Sequence, residues 1–285
     1  MSLRPRDVLL VALALAGFAA NSVLCRMALS DTAIDPASFV AWRIGSGAVV
    51  LVLLTWLLRR ESPLVHGDWR GATALFVYAV AFSYAYVSLH AGLGALLLFG
   101  AVQVTMIAAG LLHGERLRVL QWCGVVLACG GLVFLKLPVG GTPVPLLAAA
   151  SMLLAGIAWG VYSLLGRGAA APLAHTAANF VRAAPFALLL LVLAPPPRAM
   201  PLDGVLLAVL SGALASGVGY ALWYAVLPRL RATQAGLLQL LVPVLTAAAG
   251  VALLAEPVDA RLLLGGAAIL GGVALVLRAR PMRAG

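Results

Sequence analysis

The sequence predicts an all-α integral membrane protein of ten transmembrane helices, arranged as two inverted five-helix repeats with both termini cytoplasmic. Three observations carry this. Hydrophobic residues make up 64% of the 285 residues and charged ones only 10%, whereas charged residues form about a quarter of a soluble domain. The second half repeats the first: Glu115 is followed by Gly124, Gly130 and Gly131, and Glu256 at the same spacings by Gly265, Gly271 and Gly272. The arginines fall almost entirely on one side of the predicted membrane.

A bilayer core of roughly 30 Å takes about 20 apolar residues per helix. Segmenting the chain at its charges, prolines and glycines gives spans over 7–28, 36–58, 70–89, 92–112, 117–136, 145–166, 173–194, 203–226, 232–254 and 259–279. Arg4 and Arg6 precede the first run as in a signal peptide, but no small-residue cleavage site follows and similar runs continue along the chain, so the run is expected to be the first helix. The third and fourth spans are parted only by the His90 region, and the eighth and ninth only by 228–231. Each pair is expected to form a tight hairpin.

Orientation follows from the basic residues, since connectors rich in Lys and Arg stay cytoplasmic. With the N-terminus inside, the inner connectors hold Arg4, Arg6, Arg59, Arg60, Arg70, Arg116, Arg118, Arg167, Arg229, Arg231, Arg278, Arg280 and Arg283, against Lys136, Arg198 and Arg261 outside. Dropping one helix would put every later charge on the wrong side. The formal net charge of +10 therefore sets topology and implies no nucleic-acid partner. Cys25, Cys123 and Cys129 lie in apolar runs without Cys-x-x-Cys spacing, so neither a disulfide framework nor a metal site is expected.

The repeat extends upstream, where Gly17-Phe18-Ala19 matches Gly156-Ile157-Ala158 and the segment ending at Arg43 matches the one ending at Arg182. The two units are expected over 1–140 and 141–285. Five spans per unit is an odd number, so the second copy starts on the opposite face and the pseudo-twofold axis lies in the membrane plane. That arrangement is typical of secondary transporters and also occurs in channels.

Several side chains inside the spans are unlike lipid-facing residues. Tyr78, Phe82 and Tyr86 recur every fourth residue on one face of the third span. Interfacial aromatics belong at span ends, so these either pack on a neighbouring helix or line a substrate cavity. Trp159 and Tyr162 lie in the sixth span, which pairs by repeat with Phe18, Asn21 and Ser22 of the first. Tyr220, Trp223 and Tyr224 fit a cavity and an interfacial belt equally well. Phe99 joins the cavity candidates, one turn before Gln103 in the fourth span.

Asn21, Ser83, Gln103, Asn179 and Gln239 are polar at depth, and each needs a partner or water. Helix-to-helix hydrogen bonds account for any one of them; together Asn21, Gln103 and Gln239 would supply the few polar anchors of an apolar pocket. Arg43 and Arg182 share a repeat position within spans. They are expected to bind carbonyls or snorkel, and would favour a carboxylate if they reached the cavity.

All nine acidic residues, Asp7, Asp31, Asp35, Glu61, Asp68, Glu115, Asp203, Glu256 and Asp259, fall at span ends or in connectors. With no buried carboxylate and with His90 and His113 near interfaces, facilitated diffusion or a coupling scheme without a buried acid is expected. Glu115 and Glu256, at equivalent positions on opposite faces, are expected to brace their connectors. Gly156 and Gly160 have GxxxG spacing for close helix approach, and Pro185 and Pro243 could bend their helices. No Walker A loop, His-Glu-x-x-His or Gly-x-Ser-x-Gly is present. No enzyme, cofactor or ATPase subunit is implied, and oligomeric state stays open, with a monomer compatible.

The turn Gly114-Glu115, its copy Ala255-Glu256, the glycines after each, Arg43, Arg182, and Pro243 ahead of the second glutamate resemble the drug/metabolite transporter superfamily, specifically its EamA-type ten-helix exporters. Gln103 departs from that pattern near a position where the family has proline. Length and midplane aromatics look most like the YddG-type exporters of aromatic amino acids. The resemblance implies a multi-pass protein of a bacterial inner membrane that exports amino acids by alternating access, through a cavity between the first, third, fourth, sixth, eighth and ninth helices. A drug or metabolite exporter and a non-transporting scaffold or sensor are the other readings.

Overall fold

A computed structural model describes residues 4–60, 62, 66–112, 119–134, 144–166, 169–196, 199–226, 238–239 and 241–278. All regular structure among them is helical: α1 Pro5–Asp31, α2 Pro36–Arg59, α3 Trp69–Tyr86, α4 Ala91–Leu112, α5 Val119–Phe134, α6 Leu146–Gly166, α7 Pro172–Leu193, α8 Leu202–Val226, α9 Leu241–Leu254 and α10 Ala260–Arg278. Of these, α1, α2, α4, α6, α7 and α8 are long and apolar enough to cross a membrane, and shorter apolar helices lie within α5, α9 and α10. The first part of the predicted ninth span lies largely outside the described residues.

Local chemistry sets the helix starts. Proline stands at the first position of α1, α2 and α7, where its missing N–H costs nothing. Asp35 caps α2 by accepting from the Ser38 N–H at 2.9 Å, Asp68 caps α3 through Gly71 at 2.7 Å, and Asp259 caps α10 through Leu262 at 2.7 Å. The third span ends earlier than expected, at Tyr86, and the Ser88 N–H closes a tighter turn on the Ala85 carbonyl at 3.2 Å.

Pairings between the halves are exchanged symmetrically. If α1 corresponds to α6 and so on in order, α3 on α6 mirrors α8 on α1, α4 on α6 mirrors α9 on α1, and α2 on α8 mirrors α7 on α3. Helices α2 and α7, α4 and α9, and α5 and α10 pack on their own counterparts. The two halves interlock, and neither has a separate core.

The relation is also inverted. The connector before α2 packs at the start of α8, where a Cβ on Gly204 would meet Thr32 and Ile34, whereas α7 begins beside the connector after α2, with Asn179 and Arg182 against Gly67. Helices α2 and α7 thus start at opposite ends of the bundle. Small residues bring the elements together: a Cβ on Gly156 would lie 2.5 Å from the Leu98 carbonyl, and one on Gly160 would lie 2.9 Å from Thr105, so the GxxxG pair seats α6 on α4.

In α8, Ser211–Val218 is wound as π-helix between two α-helical pieces. Such insertions recur at functional sites. Here the turn brings Gly212 onto the Arg43 carbonyl of α2 and Ser211 towards α1.

Candidate functional site

Where α1, α3, α4, α6 and α8 converge, nine residues enclose a cavity: Phe18, Asn21, Ser22, Tyr78, Phe82, Leu98, Phe99, Trp159 and Tyr220. Its rings pack edge-on or tilted, with centroids 4.9 Å apart for Tyr78 and Trp159, 5.0 Å for Trp159 and Tyr220, and 5.8 Å for Phe18 and Tyr220. Pairs of this geometry contribute about 0.5–1.5 kcal/mol each beyond burial. The room left for the centres of water-sized molecules is only about 20 Å³, and one water needs roughly 10–15 Å³. The lining residues are all buried, and the space between them is far smaller than an organic metabolite.

A line of polar groups runs along one wall. The Ser211 hydroxyl donates to Asn21 Oδ1 at 2.7 Å, Asn21 Nδ2 donates to the Tyr78 hydroxyl at 3.1 Å, and Arg43 Nη2 donates to that same hydroxyl at 3.0 Å. Two incoming bonds use both acceptor sites of the Tyr78 oxygen, so its own proton is left to donate. The donor belongs to a ring that lines the cavity.

Arg43 is the largest fully buried side chain, at 2% exposure. Its guanidinium carbon lies 4.9 Å from the centroid of Phe82 and 5.1 Å from that of Tyr78, a cation–π arrangement with two cavity rings. Its Nη1 is buried without a hydrogen-bond partner, and among the described residues no carboxylate pairs with it. Leaving a buried donor unmade costs about 1–3 kcal/mol, more for a charged group. Packing alone would be served better by an apolar side chain.

Hydrogen bonds close both ends of the bundle. At one end the Ala91 N–H, at the start of α4, donates to both oxygens of Glu256 at 2.8 Å; Arg26 lies 3.5 Å from Glu256 and also donates to the carbonyls of Tyr86 and Val87. Glu256 thereby ties together α1, α3, α4 and the connector after α9. At the other end Asn179 accepts from the Asp68 N–H at 3.0 Å, and Arg182 donates to the His66 carbonyl at 2.6 Å. These bonds hold the connector between α2 and α3 on α7.

Six of the sequence candidates, Phe18, Asn21, Tyr78, Phe82, Phe99 and Trp159, line the cavity. Five others do not. Tyr86 is eight residues beyond Tyr78, about 12 Å along the helix, and its hydroxyl donates to the Ala91 carbonyl at the Glu256 end. Gln103 is buried one turn past Phe99 with its Nε2 unpartnered, and Gln239 is half-buried away from the lining. Tyr162 packs behind Trp159 and Trp223 behind Phe18. The polar residues of the lining are therefore Asn21, Ser22 and Tyr78, and neither Gln103 nor Gln239 is among them. Ser83 returns its hydroxyl to the Ala79 carbonyl of its own helix.

Among the remaining candidates, Pro243 is buried near the described start of α9, and Glu115 lies outside the described residues. Ser22, Leu98 and Tyr220 were not among the cavity candidates chosen from sequence. Leucine in an apolar run carries no signal, and Tyr220 could equally have belonged to an interfacial belt.

Both halves of the chain, residues 6–137 and 146–278, match the model of the EamA-like transporter family. The chain belongs to that family. This EamA-like protein is therefore a multi-pass membrane protein of a family of transporters, built from two repeats. It is 56% identical over 279 residues to "Uncharacterized protein PA1977" of Pseudomonas aeruginosa, covering 98% of this chain and 97% of that one. A solved structure described only as "Crystal structure of protein" superposes with a TM-score of 0.67 at 21% identity, covering 96% of each chain. That likeness speaks for the fold alone.

Proposed function

We propose that this EamA-like protein exports amino acids, aromatic ones among them, across a bacterial inner membrane by alternating access through the aromatic cavity. The observation that carries the reading is the cavity itself: rings from several helices surround a small space, with Asn21 and Tyr78 as hydrogen-bonding groups on one wall. Such a site suits a small molecule with an apolar body and a polar head. The present closure suits an occluded state, since both ends are tied by hydrogen bonds and the space is too small for cargo. Opening the Glu256 end or the Asp68 end in turn would expose the same site to either side.

Reconstitution into liposomes with labelled phenylalanine, tryptophan and smaller amino acids tests this. Protein-dependent counterflow is expected, and no flux of any amino acid would overturn the reading. Flux that persists after the proton gradient is collapsed would favour exchange without a buried carrier. In cells, a reporter fused to the C-terminus is expected to be active on the cytoplasmic side.

The predominance of aromatic rings in the lining gives a second reading some support, export of hydrophobic drugs or metabolites. Cells expressing the protein would then tolerate toxic lipophilic compounds while staying sensitive to toxic amino-acid analogues. The first reading expects the opposite pattern.

A further inference from the structure

We infer that Arg43, which stands behind the Tyr78 and Phe82 rings and outside the present lining, is the anion receptor of the site once it widens for cargo: its unpartnered Nη1 and the proton of the Tyr78 hydroxyl together bind one carboxylate of the transported molecule. This deepens the proposed function and rests on its assignment of the cavity as the substrate site. It narrows the substrate class to carboxylates with an apolar or aromatic body.

The other partly buried arginines show what a structural arginine does here. Arg26 donates to the carbonyls of Tyr86 and Val87 and pairs with Glu256, while Arg182 donates to the His66 carbonyl. Each joins segments through main-chain acceptors. The hydrogen bond of Arg43 goes instead to the hydroxyl of a cavity residue, and its second terminal nitrogen has nothing to bond.

Charge points the same way. The groups seen to touch it, Tyr78 and Phe82, carry no negative charge, and among the described residues no carboxylate pairs with the guanidinium. An intramembrane cation of this kind marks a ligand path, and its missing partner is the ligand itself. A guanidinium edge and a phenol O–H bonded to the same guanidinium offer two donors to a carboxylate. In a state opened wide enough for cargo, the ring faces of Phe18, Trp159 and Tyr220 can receive an ammonium group while the carboxylate head meets Arg43.

The test uses purified full-length protein and three probes of similar size: 3-phenylpropionate, L-phenylalanine and phenylethylamine, which lacks the carboxylate. Wild type is expected to bind and be thermally stabilised by the first two and not by the third. Arg43→Gln is expected to weaken 3-phenylpropionate binding at least tenfold, Arg43→Lys to recover part of it, and Tyr78→Phe to weaken it about threefold.

Equal affinity of wild type and Arg43→Gln for 3-phenylpropionate, or no carboxylate binding by wild type, would overturn the inference. If Arg43→Gln does not fold, unchanged carboxylate affinity in both Arg43→Lys and Tyr78→Phe overturns it equally. The transport reading fails separately: carboxylate binding that depends on Arg43 without amino-acid flux in liposomes leaves the receptor standing and removes amino-acid export. Flux with an unchanged KM in Arg43→Gln does the reverse.

Discussion

Arg43 and Arg182 occupy the same place in the two repeats, yet one is sealed in the bundle against two cavity rings and the other holds a connector through the His66 carbonyl. The mirrored helix crossings differ as well. On the Arg43 side, α8 meets α2 backbone to backbone at Gly212; on the Arg182 side, α3 meets α7 through Gly71 and the movable amide of Asn179. Duplication supplied two equivalent frames, and different side chains turned one into a cavity wall and the other into a tie at the bundle end. A binding site for an asymmetric molecule has to break the symmetry somewhere, and the proposed site lies where the two repeats differ in this way.

The largest expected effect tests the two crossings. A Cβ on Gly212 would collide with the Arg43 carbonyl, whose neighbours cannot shift, so Gly212→Val should destabilise by about 3 kcal/mol. Gly71→Ala would press on the side-chain amide of Asn179 and on no backbone atom, its nitrogen nearest at 2.7 Å, and should cost about 1 kcal/mol. Thermal melting in detergent ranks the two, and equal losses would remove the contrast.

Next in size is Glu256→Ala, which takes the acceptor from the Ala91 N–H and the partner from Arg26. It should lower stability by about 2 kcal/mol. Glu256→Gln keeps an oxygen for Ala91 and should recover part of the loss. Recovery to the full wild-type melting point would show that the Arg26 pair contributes nothing.

The arginines themselves should differ in sign. Arg182→Met orphans the His66 carbonyl and should cost about 1–2 kcal/mol while leaving substrate affinity in place. Arg43→Met removes a buried cation that pairs with no carboxylate among the described residues and should leave the melting point level or higher, as replacing buried charges by apolar groups often does. Transport should be lost all the same. A loss of stability in Arg43→Met as large as in Arg182→Met would make Arg43 a brace like its twin.

The smallest effect concerns Gly45, whose repeat counterpart is Ala184. Nothing lies within 4 Å of a Cβ at Gly45, so Gly45→Ala should raise stability slightly, by about 0.5 kcal/mol. A fall would reveal a neighbour that only an open conformation brings there.

Much of the cavity lining was legible because period and depth are sequence properties. Tyr78 and Phe82 stand out as midspan aromatics, and the repeat ties Phe18 and Asn21 to the Trp159 region. Tyr86 was chosen by the same period and falls outside, since a face followed for two turns moves along the bundle as well as around it. Gln103 and Gln239 were chosen for polarity alone, which carries no direction. Arg26 lay too near a span end to stand out, yet it donates across to the end of α3 and pairs with Glu256.

The sequence by itself determined the all-helical membrane architecture, the two repeats and the approximate limits of the helices. Apolar length, capping aspartates and repeated glycines act locally or along one chain, so each can be read in order. Only the tertiary structure decided which aromatics share a space, how small that space is, and that equivalent arginines have different surroundings. Those are properties of where helices far apart in sequence cross. They turn on the π-helical stretch of α8 and the contact of Gly212 with α2, which set the distances among Ser211, Asn21, Tyr78 and Arg43.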